Sequence, residues 1–279
     1  MKKLIALSAF AFFLCSCAGV NVKKPEIDNV KRVAVVGVTS NEEYKDIESV
    51  GKEKKQNLLL TVAANVIKDN VEMITEGQVA IITHGAYELV NTFNDIEGWG
   101  AISLDEVINN EQYKALFAKS DNLFEAFGNL IRKERYVAPA GMSPVLYETV
   151  HPSQNHWVNG ERAEAPVLRS IGSLCDALGV DAVAVAEFTF LYKTGFASSL
   201  TSSATPIVYM NVALIDRNGN KVLYTDPGWA EIEGKEKATY RNGAIHLIGD
   251  DKSINAYNEA INATLKVFKK EAKKKLSSK

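Results

Sequence analysis

Cysteines and long apolar runs are both scarce in this sequence. Only three cysteines occur among 279 residues, which excludes the dense disulfide framework of small secreted domains. No apolar run reaches the roughly 18 residues that a transmembrane helix needs. The sequence also lacks a phosphate-binding loop, a dinucleotide fingerprint, a zinc-protease motif and a nucleophile elbow. These absences remove the usual reasons to predict a membrane-spanning helix, a cofactor or catalysis.

A strong excess of charge of one sign is absent as well. The formal net charge is −2, while 24% of the residues are charged and 46% are hydrophobic. These values are ordinary for a globular protein with a sizeable core. Because there is no global basic field, nucleic acid is not expected as a partner.

The first residues have the pattern of a secretory signal. Lys2 and Lys3 precede an eleven-residue, largely apolar stretch, Leu4–Leu14, and small residues follow it. This stretch is too short to span a membrane and fits the apolar region of a signal peptide.

The tetrad Leu14-Cys15-Ser16-Cys17 resembles the lipobox of bacterial lipoproteins. The resemblance implies a thioether-linked lipid on Cys17, cleavage before that residue and acylation of the new amino terminus. If the tetrad ended at Cys15 instead, bulky Leu14 would occupy the position that needs a small residue. Ala18 rather than Asp follows the cysteine, which in enterobacterial-type lipoproteins favours the outer membrane. Two or three acyl chains anchor a protein stably.

The chain is therefore expected to have three parts. Residues 1–16 are the lipoprotein signal, residues 17–30 are a lipidated tether, and residues 31–279 form the envelope domain. The tether is predicted from its mostly polar composition and from Pro25. An insertion of helix and loop interrupts the domain at about 110–165.

Hydrophobic periodicity predicts alternating strands and helices. In the first half we expect a buried strand at Arg32–Val38, helices, and a strand that runs into a turn at Trp99–Ile108. The helices are predicted at Leu58–Ile67, Val79–Phe93 and Asn110–Arg132.

The second half of the chain has clearer patterns. We expect a helix at Pro166–Leu178, ended by Gly179, and then a strand at Ala182–Tyr192. A hairpin pairs Ile207–Ile215 with Lys221–Tyr224, and a final helix follows the candidate cap Ser253. The final helix carries an apolar stripe of Ile254, Tyr257, Ile261, Leu265 and Phe268. Helix-linked strands followed by a hairpin predict a single α/β (α+β) domain, a mixed β-sheet with helices packed on it.

Two neighbouring segments resemble the core of the CsgG/TolB-N/LpoB-like group of bacterial envelope proteins. They are LCDALGVDAVAVAEFTFLYKTG, at 174–195, and VYMNVALIDRNGNKVLYTDPG, at 208–228. Lys31–Val38 is similar to the first strand of the group, so the resemblance covers about half of the chain. It implies an envelope compartment and a domain that assists secretion, activates cell-wall synthases or organises envelope complexes.

Three short motifs match the order used by penicillin-binding proteins and class A β-lactamases. They are Ser49-x-x-Lys52, Ser120-Asp121-Asn122 and Lys193-Thr194-Gly195. In those enzymes the serine is the nucleophile and opens a buried helix. Here Ser49 lies in a densely charged stretch with Gly51 between it and Lys52, so a serine acyl-enzyme is only the second alternative and no catalytic residue is predicted.

The remaining reactive side chains are interpreted as structural. His151 and His156, with Glu148 and Glu161 nearby, match no metal-site spacing, so no metal is expected. Cys175, the one cysteine beyond Cys17, lies on an apolar helical stripe and is predicted to be buried and inert. With lipid on Cys17, no internal disulfide can form. His84 and His246 have no evident partner in the sequence, so each is predicted to lie on the surface or to be a hydrogen-bonded core residue.

The lysine-rich run at Lys269–Lys279 has two interpretations. It could contact anionic lipid headgroups. The favoured interpretation is a solvated helix end whose charge complements the helix dipole.

Together these patterns predict a non-catalytic, lipid-anchored envelope protein, facing the periplasm from the outer membrane, that binds an unidentified envelope protein. The exposed loops expected to bind are Val137–Glu164 and Thr194–Thr205. An oligomeric outer-membrane secretion pore like the curli channel is the first alternative. It would need lipid-facing hairpins of about ten residues per strand, which neither loop resembles. The oligomeric state is left open, a homo-oligomer included.

Overall fold

The computed structural model describes the chain in eight stretches, residues 19–49, 75–115, 136–142, 157–158, 162–163, 165–195, 198–226 and 231–278. Within them lie an 11-stranded mixed sheet and a separate two-stranded sheet. The strands are β1 Val20–Val22, β2 Arg32–Asn41, β3 Lys45–Asp46, β4 Gly100–Ala101, β5 Tyr136–Val137, β6 Trp157–Val158, β7 Arg162–Ala163, β8 Ala182–Lys193, β9 Ser203–Asp216, β10 Lys221–Thr225, β11 Ile232–Glu233, β12 Ala238–Arg241 and β13 Ala244–Ile245.

Helices pack on this sheet. They are α1 Glu76–Asn94, α2 Leu104–Asn109, α3 Ala165–Leu178, α4 Ser198–Thr201 and α5 Asp251–Ser277. A 3₁₀ helix spans Glu26–Asn29, and residues 111–115 are helical as well. The predicted segment Leu58–Ile67 and the rest of Asn110–Arg132 lie outside the described residues.

The main path of the sheet runs in the order β1-β10-β9-β8-β2-β4. β2 pairs in parallel with β8 and β4, whereas β8, β9, β10 and β1 pair antiparallel in succession. Short strands extend the edges: β3 beside the end of β8, β5 beside β2, and β11 and β12 beside β9. The predicted mixed sheet, the buried strand predicted at Arg32–Val38, which is part of β2, and the β9–β10 hairpin are confirmed.

Alternation along β8 gives the sheet two faces. Phe188 and Phe190 lie on the face covered by α1 and α5, where the ring centroids of Phe190 and Tyr257 are 5.7 Å apart. Gly85 allows α1 to come close, because an added Cβ would lie 3.3 Å from the ring of Phe188. The predicted stripe of α5 is confirmed: Tyr257, Ile261, Leu265 and Phe268 are at most 3% exposed, and Ile254 is partly buried.

Helix ends follow local sequence signals only in part. The amide of Gln78 donates to Thr75 Oγ1 at 3.2 Å, and the amide of Thr75 donates to Gln78 Oε1 at 2.7 Å, which caps α1. The helix α3 ends at Gly179, whose φ of +62° suits glycine, as the sequence predicts.

The prediction that Ser253 caps α5 is wrong. The N-cap is Asp250, whose carboxylate accepts a hydrogen bond from the amide of Lys252 at 3.1 Å. Ser253 lies inside the first turn and is buried, and its hydroxyl accepts from the amide of Thr239 at 2.9 Å. It therefore ties β12 to α5.

Residues 19–30, within the segment assigned to a tether, are part of the folded domain. Val20–Val22 pair antiparallel with β10, and Ile27 and Val30 are each 1% exposed. Three buried apolar side chains hold this segment, although its composition is mostly polar. The described chain is thus packed from Val20 onward.

Two other segments differ from their predictions. Trp99–Ile108 holds only the two-residue strand β4, because Ser103 accepts from the amide of Glu106 at 3.1 Å and starts α2. The segment Thr194–Thr205 is not a flexible loop throughout: it contains α4 and the first residues of β9, which pair with β12.

Candidate functional site

Many of the residues singled out in the sequence lie outside the described part of the chain. They are Cys15, Cys17, Gly51, Lys52, Ser120, Asp121, Asn122, Glu148, His151, His156 and Glu161. Lipid attachment at Cys17 therefore stays a prediction. Among the described residues, no group of three or more His, Cys, Asp or Glu side chains is placed to hold a metal ion.

Ser49, from one acyl-enzyme motif, and Thr194, from another, come together where β3 lies beside the end of β8. Asp46 connects them: the hydroxyl of Ser49 donates to the Asp46 carbonyl oxygen at 2.6 Å, and the hydroxyl of Thr194 donates to Asp46 Oδ2. Parallel pairing of Lys45 and Asp46 with Leu191 and Tyr192 produces this juxtaposition. The sequence places Ser49 and Thr194 far apart, so only the sheet register reveals it.

At this corner the hydrogen bonds hold β3 and the end of β8 together. A nucleophilic serine needs a base that can take its proton. The hydroxyl of Ser49 donates to a backbone carbonyl instead, in an exposed turn. Lys193 Nζ lies 2.8 Å from Glu233 Oε1, and this hydrogen bond, with the charge of Glu233, raises the pKa of Lys193. Lys193 is therefore held as a cation, which is unsuited to act as a base.

The sheet carries a buried polar row on the face opposite Phe188 and Phe190. Thr39, Glu187 and Asn211 are direct neighbours across β2, β8 and β9, and each is at most 8% exposed. Asn211 Nδ2 donates to Glu187 Oε2 at 3.2 Å. Among the described residues, Thr39 Oγ1 and Asn211 Oδ1 have no hydrogen-bond partner.

Sequence reasoning missed this row, although one signal was visible. Glu187 is the single charged residue within the apolar run AVAVAEFTFLY, and a charged residue in a buried strand needs partners. The row offers a carboxylate, an amide and a hydroxyl, which can hydrogen-bond or hold a proton. Although Glu187 is its direct neighbour, the hydroxyl of Thr39 makes no hydrogen bond to that carboxylate in the described structure.

Two exposed apolar side chains, Leu200 and Ile248, are presented by α4, which follows the end of β8, and by the segment after β13; they are here called the apolar end. They are 84% and 70% exposed. Leu200 is presented by α4, which Ser198 fixes by accepting from the amide of Gly195 at 2.7 Å. β9, β12 and β13 lie side by side here, so α4 and the segment after β13 share one end of the sheet.

Positively charged side chains gather at the other end of α5. This basic end consists of Lys23, Lys24, Lys270, Lys273, Lys274 and Lys275. Lys24 Nζ donates to the carbonyl oxygen of Ser278, just past α5. The segment that follows β1 and the last turn of α5 therefore form one surface.

The other titratable side chains from the sequence analysis are structural. Cys175 is buried, and burial raises the pKa of its thiol to about 12. The Nε2 atom of His84 lies 2.9 Å from Asn262 Oδ1, between α1 and α5. His246 is exposed, and its amide donates to the carbonyl oxygen of Thr239 at 2.9 Å.

None of the helices in the described stretches is long and apolar enough to cross a membrane. Comparison of the chain with protein-family models, with curated proteins and with solved structures finds no match.

Proposed function

We propose that the chain is a lipid-anchored bacterial envelope protein whose non-catalytic α+β domain binds a protein partner. The observation that supports the anchoring is that the chain shortly after Cys17 is held in the sheet by Asp226. The amide of Gly19 donates to Asp226 Oδ2 at 2.8 Å, and Asn21 Nδ2 donates to Asp226 Oδ1 at 2.8 Å. The amide of Asp226 donates back to the Gly19 carbonyl oxygen at 3.0 Å.

This arrangement supports processing at Cys17. The contacts described for β1 are made by residues from Gly19 onward, so cleavage before Cys17 would remove none of them. This supports a signal that can be removed without loss of the β1 pairing. Ala18 after the cysteine favours the outer membrane, with the domain in the periplasm.

The apolar end supports a protein partner. Leu200 and Ile248 expose large apolar side chains to solvent, and exposed apolar surface that forms a patch marks interaction sites. The predicted binding segment Thr194–Thr205 contains Leu200. The short helix α4 in this segment also weakens the secretion-pore alternative, which requires long strands of alternating polarity here.

Metabolic labelling tests the anchoring. The chain, produced in a Gram-negative host with an alkyne fatty acid, should become labelled and partition with membranes. Cys17→Ala should lose both properties, whereas Cys15→Ala is the matched control and should keep them. Labelling of Cys17→Ala at the wild-type level would overturn the proposal.

Site-specific crosslinking tests the partner. A photoreactive residue at position 200 or 248 should give the same discrete adduct in native envelopes, identified by mass spectrometry. A photoreactive residue in place of Lys266, which is exposed on α5, is the control and should not give this adduct. Adducts with a second copy of the chain alone would favour the oligomer, and no adduct at either apolar position would contradict partner binding at this end.

A further inference from the structure

We propose that the basic end binds the anionic headgroups of the membrane that holds the lipid anchor. This inference rests on the proposed anchoring and adds to it an orientation of the domain. The ligand is a lipid surface rich in phosphate, and its recognition is electrostatic. The basic end would lie against it while the apolar end faces away.

The first step of the argument is that two distant parts of the sequence form one surface. The hydrogen bond from Lys24 to Ser278 joins the segment after β1 to the end of α5. α5 also packs along β1. The lysines of the last turns of α5 therefore lie beside the segment that is nearest in sequence to Cys17.

The second step is that much of this charge is not neutralised locally. Within the basic end, Lys23 lies 3.7 Å from Glu26 and Lys274 lies 3.9 Å from Glu271. In the described part of the chain, Lys24, Lys270, Lys273 and Lys275 have no carboxylate within 4.0 Å. Lys270, Lys273 and Lys275, which lie on α5, are exposed. Their charge is available to a ligand outside the domain.

The third step is reach. Lys24 lies seven positions after Cys17, so even a fully extended chain places the two residues at most about 25 Å apart. β1 lies within this span and is paired to the sheet, which leaves no long linker to move the domain away from the bilayer. An acylated Cys17 therefore holds the lysines at a high local concentration of headgroups.

These features favour a lipid surface over other anions. The whole chain carries a formal charge of −2, so it has no general attraction to nucleic acid. The basic end is a local patch beside the predicted attachment point. Each lysine near an anionic membrane surface contributes roughly a fivefold factor in partitioning.

Vesicle sedimentation tests the proposal on the chain that begins at Ala18, which carries no lipid and contains every described residue. We expect it to sediment with vesicles of equal parts phosphatidylcholine and phosphatidylglycerol, and not with phosphatidylcholine alone. Added salt should release it. The triple variant Lys270→Gln, Lys273→Gln, Lys275→Gln should partition about a hundredfold more weakly.

The control variant is Lys235→Gln, Lys237→Gln, Lys252→Gln. It removes the same charge from exposed positions near the opposite end of α5 and should sediment like the unmodified chain. An equal loss in both triple variants would show that net charge alone matters and would overturn the proposal. So would equal sedimentation with phosphatidylcholine, or binding of a DNA duplex as tight as binding of the phosphatidylglycerol vesicles.

This test is independent of lipidation. If the chain is labelled at Cys17 but the unlipidated chain does not bind phosphatidylglycerol vesicles, the headgroup-binding proposal is overturned and the anchoring proposal stands. A chain that binds the vesicles while Cys17→Ala labels like the wild type overturns the anchoring instead.

Discussion

The ring centroids of Tyr44 and Tyr257 lie 4.9 Å apart, yet among the described residues only one of the two hydroxyls has a hydrogen-bond partner. Tyr257 donates to the carbonyl oxygen of Leu191 at 2.9 Å, whereas the buried hydroxyl of Tyr44 has no partner in this part of the chain. Burial raises the pKa of both tyrosines, so both stay protonated. The two side chains offer the same substitution with different consequences.

Tyr257→Phe should destabilise the domain by about 1 kcal/mol, because it removes a buried hydrogen bond. Tyr44→Phe should leave the free energy of unfolding unchanged or raise it by up to about 1 kcal/mol, since it removes an unsatisfied buried hydroxyl. Urea denaturation of the two variants measures the difference. Equal losses would show that Tyr44 has a partner in solution.

Two helical glycines should respond to alanine with opposite signs. An added Cβ on Gly77 would lie 2.6 Å from the backbone oxygen of Leu247, whereas on Gly172 the nearest atom, the oxygen of Arg217, would be 3.4 Å away. Gly77→Ala should cost about 1–3 kcal/mol despite its better helix propensity. Gly172→Ala should gain up to about 1 kcal/mol. Thermal unfolding of the pair would contradict this contrast if both variants were stabilised.

Acid should weaken the start of α5 through Asp250. Burial alone would raise the pKa of Asp250, but hydrogen bonds from Thr239, Ser253 and Lys252 lower it below its ordinary value. A carboxyl with a lowered pKa stabilises the fold above its unfolded pKa of about 4, and this contribution disappears as pH falls through the folded pKa.

Asp250→Asn keeps the cap and removes the titration. The stability of the wild type should therefore fall more steeply than that of Asp250→Asn as the pH is lowered below about 5. Urea midpoints measured across this range check the prediction. Parallel curves would show that Asp250 does not contribute to acid unfolding.

The thiol of Cys175 should be silent in the folded domain. Burial raises its pKa to about 12, and the thiolate is the reactive form. The chain that begins at Ala18 should show no reaction with Ellman's reagent at pH near 8, and one thiol per chain after unfolding in guanidinium. Fast labelling without denaturant would mean that α3 opens readily from the sheet.

The sequence predicts those parts of the fold whose patterns are long. Alternation in β8 and the stripe of α5 extend over many residues, so each determines its own element and buried face. β1 and β3 have only three and two residues, too few for a period to show. Their pairing depends on partners more than a hundred residues away, in β10 and β8.

The candidate surfaces likewise have parts that the sequence predicts and parts that it does not. Glu187 stands out in its strand, but its neighbours Thr39 and Asn211 are specified only by register. The basic end needs the contact between Lys24 and Ser278, which no local pattern contains. The exposure of Leu200 agrees with the predicted exposed loop Thr194–Thr205, but α4, which presents it, could not be predicted from a segment rich in serine and threonine.

The pairing of β1 with β10 also has a consequence for the anchored protein. On the proposed anchoring, Cys17 lies only two positions before Gly19, whose amide is bonded to Asp226 just after β10. The lipid would therefore be attached next to the strand that ends the main path of the sheet, and not through a free linker. A change that opens the pairing of β1 with β10 would lengthen the connection between the lipid and the domain.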